Sequence, residues 1–398
     1  MRFPLLVLTV LASLAARPAP ACGAPPTAST TALSPQAIDQ SLELGRRYLL
    51  NSQRSNGSFI YEMDAARGTD FGTRNSVREM GALWSLAAFH RHKPNPETAA
   101  AVLKSLKHHD GHAKTAGGMR FLCEPKAREG ATNTMALYVL TLLDFLAADF
   151  DLPAPARADY ESKLNESVKF LMSLRLTSGR FASRYRCPDG RPFGEAAPHS
   201  DGEALLALAR AAKTEGNESM RDAVLESGAV MYGRYVRSGL RANPNNLETN
   251  GFYQWGSMAF YELYTSGWPE TQAYAGRTIA LARWLIDVRK LLESRGNAGY
   301  AFEGLAVAWE LARLTKDTTN QQYIGAAIDG GLSKLMTWQI GSPSAGEAVP
   351  KSFLTSPKVR GGVLTVEGDP RLRVDVTQHQ MHALMLVRWF MFRADEAE

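Results

Sequence analysis

The stretch Tyr48-Leu49-Leu50-Asn51-Ser52-Gln53-Arg54-Ser55-Asn56-Gly57-Ser58-Phe59 carries an apolar helical run into a polar turn, then Gly, one residue and Phe. The stretch Phe170-Leu171-Met172-Ser173-Leu174-Arg175-Leu176-Thr177-Ser178-Gly179-Arg180-Phe181 repeats that pattern. A glycine at this point suits a helix end that needs a positive φ. After each turn comes an irregular polar loop and then a second helix rich in small residues. The recurrence marks a chain built from helical hairpins.

The second helices align on a shared alanine: Ala82, Ala136, Ala204, Ala259, Ala306 and Ala383, spaced 54, 68, 55, 47 and 77 residues apart. An amphipathic helix precedes each, over 38–52, 97–108, 160–174, 220–235, 272–292 and 321–338. Small residues let helices approach closely, so the second helix of each pair is expected in an inner ring and the first outside it. Twelve helices in six hairpins most simply close into an (α/α)6 toroid, and residues 35–398 are read as that single all-α domain. An open solenoid is the alternative, because solenoids also repeat hairpins. The last unit departs from the pattern. Its Gly361-Gly362-Val363-Leu364-Thr365-Val366 reads as a small β-hairpin or lid.

Composition fits a folded domain of this size. Of 398 residues, 45% are hydrophobic and 21% charged, which excludes disorder, collagen and coiled coil. Lys and Arg number 45 against 40 Asp and Glu, a mild excess scattered singly, so no nucleic-acid partner is expected.

The N-terminus has a short basic start, an apolar segment from Leu5 to Ala16 and the Ala19-Pro20-Ala21 site. These describe a secretory signal peptide over 1–21, too short to span a bilayer. No later stretch reaches the length of a transmembrane helix, so an exported protein, periplasmic or extracellular, is expected. Cys22 follows the cleavage site where a bacterial lipoprotein carries its lipid. Ala19 and Pro20 depart from the usual lipobox, so a lipid anchor at Cys22 and simple cleavage both stay open. Residues 22–34, rich in Pro, Ala and Thr, read as a tether. The remaining cysteines, Cys123 and Cys187, fall in corresponding loops of successive repeats. An exported chain with one such pair favours a disulfide. Neither cysteine has a metal-ligand partner at short spacing, and no metal or cofactor is expected.

The glycine turns and small-residue inner helices resemble the α/α-toroid superfamily. This groups squalene cyclases and protein prenyltransferases with several carbohydrate-active six-hairpin toroids. The resemblance spans roughly 35–392 and implies a central cavity whose mouth is formed by the inner-helix N-termini. Such termini favour anions. On that implication, residues four and one before each shared alanine share the inward face. They are Arg78 and Gly81; Thr132 and Met135; Ser200 and Glu203; Trp255 and Met258; Phe302 and Leu305; His379 and His382. This makes a mixed pocket of a few ionisable groups on an apolar wall.

Within it, Glu203 on an apolar helix needs partners or a raised pKa, either of which fits a general acid or base. A dipole-stabilised helix-start Glu is the plainer reading. His379 and His382 stand three apart with Asp375 one turn earlier, so an Asp-oriented His is a candidate proton-transfer group. A capped helix with core histidines is equally compatible. Arg78, near Asn75, is read as a carboxylate clamp, or else as an ion pair with Glu79 or a loop acid. Asp64 lies in a loop expected to face the mouth. Tyr253 and Tyr300 occupy equivalent places before inner helices four and five, as a base, a donor or a stacking platform. Glu303 is a second carboxylate, and Glu203 with Glu303 or Asp201 would supply the two carboxyls of a glycoside hydrolase. Trp84, Trp309 and Trp338 are read as core.

The acidic motifs of polyene cyclases and diphosphate-binding synthases are missing, as are G-x-S-x-G, H-E-x-x-H, a P-loop and G-x-G-x-x-G. The prenyltransferase zinc set is missing too. The expected function is therefore acid–base chemistry on a glycan by a hydrolase, lyase or epimerase. A non-catalytic envelope toroid that binds a peptide, lipid or glycan is the alternative.

Overall fold

A computed structural model describes residues 33–214, 217–354 and 356–393. The expected export signal, Cys22 and the tether up to residue 32 lie outside the described residues.

Local capping chemistry sets where the helices begin. Ser34 accepts from Ala37 N ahead of Pro35, and Asn75 accepts from Arg78 N. Asn95, Asn246 and Asp317 cap later helices in the same way, each satisfying an otherwise unpaired helix-start N–H. The helices are α1 (Pro35–Ser52), α2 (Ser76–His92), α3 (Pro96–Asp110), α4 (Thr132–Leu146), α5 (Ala154–Ser173), α6 (Pro198–Ala212), α7 (Arg221–Met231), α8 (Gly239–Ala242), α9 (Leu247–Tyr264), α10 (Ala273–Asp287), α11 (Gly299–Leu314), α12 (Thr318–Met336) and α13 (Val374–Met391). A π-helical stretch, Tyr232–Ser238, joins α7 to α8 without a break.

Helices α2, α4, α6, α9, α11 and α13 form the inner ring. Each packs on the next, and α13 returns to α2. The first and last repeats meet directly, with Ser85 Oγ 4.0 Å from Met381 Sδ. The chain is an (α/α)6 toroid, not an open solenoid. All six shared alanines are buried. Small residues set the helix spacing: a Cβ on Gly202 of α6 would lie 2.6 Å from Trp255 Cβ of α9. Gly57, at φ +94, turns α1 against the second hairpin, where a Cβ would lie 2.5 Å from Lys104 O.

Short strands lie at the end of the ring where the inner helices begin, and two of their pairings join neighbouring repeats: β1 (Glu62–Asp64), β2 (Thr69–Asp70), β3 (Ala113–Ala116), β4 (Met119–Leu122), β5 (Glu129–Ala131), β6 (Arg184–Arg186), β7 (Pro192–Phe193) and β8 (Arg371–Arg373). Strand β5 of the second repeat pairs antiparallel with β6 of the third. Beside that pair Cys123 and Cys187 are disulfide-bonded, with Cα atoms 5.8 Å apart. The last repeat carries the small β element expected of it. Leu364 bridges Leu372, and β8 pairs with β1 of the first repeat. That pairing is a second closure of the ring. Among the described residues no helix is long and apolar enough to cross a membrane.

Candidate functional site

The N-terminal ends of all six inner helices surround one cavity of about 580 Å³, within the range of small-ligand sites. Asn75, Val77 and Arg78 come from the start of α2, and Asn133 from α4. Helix α6 contributes His199, Ser200 and Glu203, and α9 contributes Asn250, Gln254 and Trp255. Asn297 and Tyr300 come from the start of α11, and Arg373, Asp375, Val376 and His379 from that of α13. Thr365 joins them from the last-repeat excursion. Most of these side chains are polar, and the helix starts add their own positive ends.

Glu203 is buried, and its Oε2 has no hydrogen-bond partner. Burial pushes its pKa up to about 7, against the opposing pull of a hydrogen bond from Asn133 and the charge of Arg78. Asn133 also accepts a hydrogen bond from Ser200 Oγ at 2.8 Å. A carboxyl so poised exchanges its proton near neutral pH.

His379 sits over a buried carboxylate. Its Nδ1 is 3.0 Å from Glu303 Oε1, and the amides of Gln254 and Gln378 lie 3.1 and 3.2 Å from the same nitrogen. With Nδ1 engaged on the Glu303 carboxylate, Nε2 is the nitrogen left to the cavity. Burial works to raise the Glu303 pKa, but His379 and His382 outweigh it and hold the carboxyl below its ordinary value. His382 Nδ1 lies 3.5 Å from Glu303 Oε2, and its ring packs at a tilt 4.3 Å from Trp84, itself 5.7 Å from Trp255. The aromatic rings thus pack around Glu303 and its two histidines.

A second charged group holds the rim. Arg373 donates to both oxygens of Asp375, and Arg78 Nε lies 3.5 Å from Asp375 Oδ2. Arg78 keeps 39% of its side-chain surface exposed, so a cationic face remains for a ligand. Its neighbour Arg74 takes Glu79 instead. Burial lowers the His199 pKa, and the nearby charges of Arg78 and His379 lower it further, so this imidazole is neutral at neutral pH.

Arg78, Asn75, Glu203, Trp255, Tyr300, Asp375 and His379 therefore share one cavity, and His382 packs behind His379. Five expectations need correction, the fifth being Glu303, which does not line the cavity. Asp201 lies on the far side of α6, bound by Arg180, Tyr235 and Phe181 N. Two positions along a helix reverse the direction of a side chain, so Asp201 and Glu203 cannot both face inward. Tyr253 is fully buried and aimed at Ala301 O and Trp284. It shares the register of Tyr300, but α9 begins at Leu247 and α11 at Gly299. Tyr253 therefore falls mid-helix while Tyr300 falls in a first turn. Asp64 closes its own turn, accepting from Ala66 N, Arg67 N and the Arg67 side chain. Asp375 does not orient His379, because Arg373 and Arg78 hold it; Glu303 takes that place and lies beneath the cavity wall.

Gln254, His199, Asn133, Asn250, Asn297 and Arg373 escaped the sequence reading. Gln254, His199 and Gln378 all stand five before a shared alanine, one position beyond the register that was followed. Asn250 and Asn297 both stand nine before one. His108, His109 and His112 escaped too, although His108 and His112 stand four apart in the sequence.

No protein-family model and no curated protein matches the chain. Solved structures do. An α-mannanase of glycoside hydrolase family 76 from Bacteroides thetaiotaomicron superposes with a TM-score of 0.61 at 10% identity, over 91% of this chain and 97% of the mannanase. An unsaturated glucuronyl hydrolase specific for heparin gives 0.62 at 12% identity, over 90% and 99%. The cellobiose 2-epimerase of Bacillus thermoamylovorans gives 0.60 at 10% identity, over 89% and 99%. At such identities the likeness establishes the fold, an α/α toroid shared along nearly the whole length of each.

Proposed function

We propose that this protein is a carbohydrate-active enzyme that moves protons on a sugar ring held in the central cavity. Glu203 and His379 are its two proton-transfer groups, and Glu303 is the positioning residue that sets the His379 tautomer. The observation that carries the reading is Glu203. A buried carboxyl with an unpartnered oxygen and a pKa of about 7 opens on the same cavity as an imidazole whose other nitrogen is fixed. One group abstracts a proton while the other returns or donates one.

This pairing favours epimerisation or elimination over two-carboxylate hydrolysis. Glu303 and Asp201, the expected second carboxyls, do not line the cavity, and Asp375 is bound by two arginines. Trp255 and Tyr300 offer faces for a sugar ring, and Arg78 offers a cation for an anionic substituent such as a uronate carboxylate. The toroids of similar shape that are described as acting on mannans, glucuronyl units and cellobiose support a sugar as the substrate class. The same proposal takes 1–21 as an export signal, 22–34 as a tether that is lipidated or cleaved at Cys22, and 35–398 as the catalytic domain outside the cytoplasm.

The test is a comparison of binding and turnover on a panel of neutral and uronate oligosaccharides. Glu203→Gln retains calorimetric binding and loses turnover by about 10²-fold or more. Binding with no turnover by the wild-type protein on any glycan would instead define a non-catalytic toroid.

A further inference from the structure

The end of the second outer helix carries a group of imidazoles outside the cavity. His108 and His109 lie in the last turn of α3, and His112 follows its Gly111 cap. His108 and His112 are thus four residues apart, the separation of one helical turn. One ring nitrogen from each of the three lies within 4.8 Å of the others. The rings of His108 and His112 meet edge to face at 4.6 Å. His112 Nδ1 is buried without a hydrogen-bond partner, 3.7 Å from Glu124 Oε2.

Three imidazoles turned toward one another bring their polar nitrogens together, and an unpartnered buried nitrogen is destabilising. A transition-metal ion resolves both. Zinc bound at about 2.0–2.1 Å from each nitrogen brings tetrahedral ligands to roughly 3.3 Å of one another, a modest closure from the observed spacing. Imidazole with carboxylate is a donor set suited to zinc and its neighbours rather than to calcium or magnesium. Arg74, a neighbouring cation, is committed to Glu79.

We propose that His108, His109 and His112, with Glu124 as fourth ligand, form a site for one divalent transition-metal ion of the zinc class. The ion would join the end of α3 to the segment after β4, one residue from disulfide-bonded Cys123. His109 and Glu124 also line a small cavity with Ser76, which precedes Val77 and Arg78 of the main cavity. The site is structural, so it stands or falls independently of the reaction proposed above.

The experiment uses the full chain without a polyhistidine tag, stripped by chelator and titrated with Zn²⁺ by calorimetry and with Co²⁺ by absorbance. One ion per chain, a rise in melting temperature on zinc addition and tetrahedral Co²⁺ bands are expected. Glu124→Gln weakens Zn²⁺ binding by about tenfold or more, and the half-buried pair His108→Gln/His112→Gln removes it. Absence of stoichiometric zinc uptake by the wild-type chain, or binding unchanged in the double variant, would overturn the assignment.

Discussion

Nδ1 of His379 on α13 lies 3.0 Å from Oε1 of Glu303 on α11, and that carboxylate is wholly buried beneath the cavity wall. Two inner helices separated by 76 positions in sequence thus fix one imidazole tautomer. The substrate side of the ring is left to Nε2. In the proposed mechanism Glu303 acts through His379 and does not meet the substrate.

This separates two variants. His379→Gln removes a proton-transfer group and should lower kcat by about 10²–10⁴-fold. Glu303→Gln keeps the shape but releases the tautomer. It should lower kcat by roughly 10–100-fold with KM nearly unchanged. Steady-state kinetics on an identified glycan distinguish them, and equal losses in KM alone would contradict the positioning role.

Glu203 predicts a pH dependence of stability. Its folded-state pKa of about 7 lies above the ordinary 4.5. The folded protein therefore keeps a proton that the unfolded chain has released between those values. Stability from this group is full below about pH 4.5 and is lost as pH rises through about 7, by up to roughly 3 kcal/mol. Glu203→Gln abolishes that loss. Thermal unfolding at about pH 5 and about pH 8 should show the variant gaining on the wild-type protein at the higher pH.

At the opposite end of the ring Asp144 of α4 joins three inner helices. It accepts from Trp84 Nε1 of α2 at 2.8 Å and from Arg210 of α6, with Arg91 2.9 Å away. Burial alone would raise its pKa, but Arg210 and Arg91 hold the carboxyl far below the ordinary range. Its contribution is present above the ordinary carboxylate pKa and is lost as pH falls. Asp144→Asn leaves Arg210 with the more distant Glu262, 3.9 Å away, and should cost roughly 3–5 kcal/mol, read as a lowered denaturant midpoint.

The Cys123–Cys187 bond closes a loop across 64 positions. Chain-entropy arguments give such a closure up to about 4 kcal/mol. Reduction should lower the melting temperature measurably while far-ultraviolet dichroism at room temperature stays helical. No change in melting temperature would mean that the paired strands β5 and β6 hold the two loops together unaided.

The fold was legible because its cause is periodic. Six alanines at one packing height, each behind an amphipathic helix, leave few arrangements other than a ring. The site was legible only where its residues keep the phase of those alanines, as Arg78, Ser200, Glu203, Trp255 and His379 do. Where a helix starts early, as α9 does, the same register buries Tyr253 that elsewhere exposes Tyr300. The exchange of Asp375 for Glu303 as the partner of His379 was not legible. It depends on the distance between α11 and α13, which no local pattern encodes. His108 and His112 were legible by their four-residue spacing yet overlooked, and only the structure brings Glu124 alongside them.

The central claim is that Glu203 and His379 move protons on a sugar. Proton magnetic resonance of a glycan panel in D₂O tests it most directly. It registers epimerisation as deuterium gained at a ring carbon, elimination as new vinyl signals and hydrolysis as new reducing ends. The wild-type protein should convert at least one uronate or neutral sugar with deuterium uptake or a vinyl product. The folded Glu203→Gln/His379→Gln double variant should convert none. Conversion by that variant at the wild-type rate, or no conversion of any glycan by the wild-type protein, would contradict it.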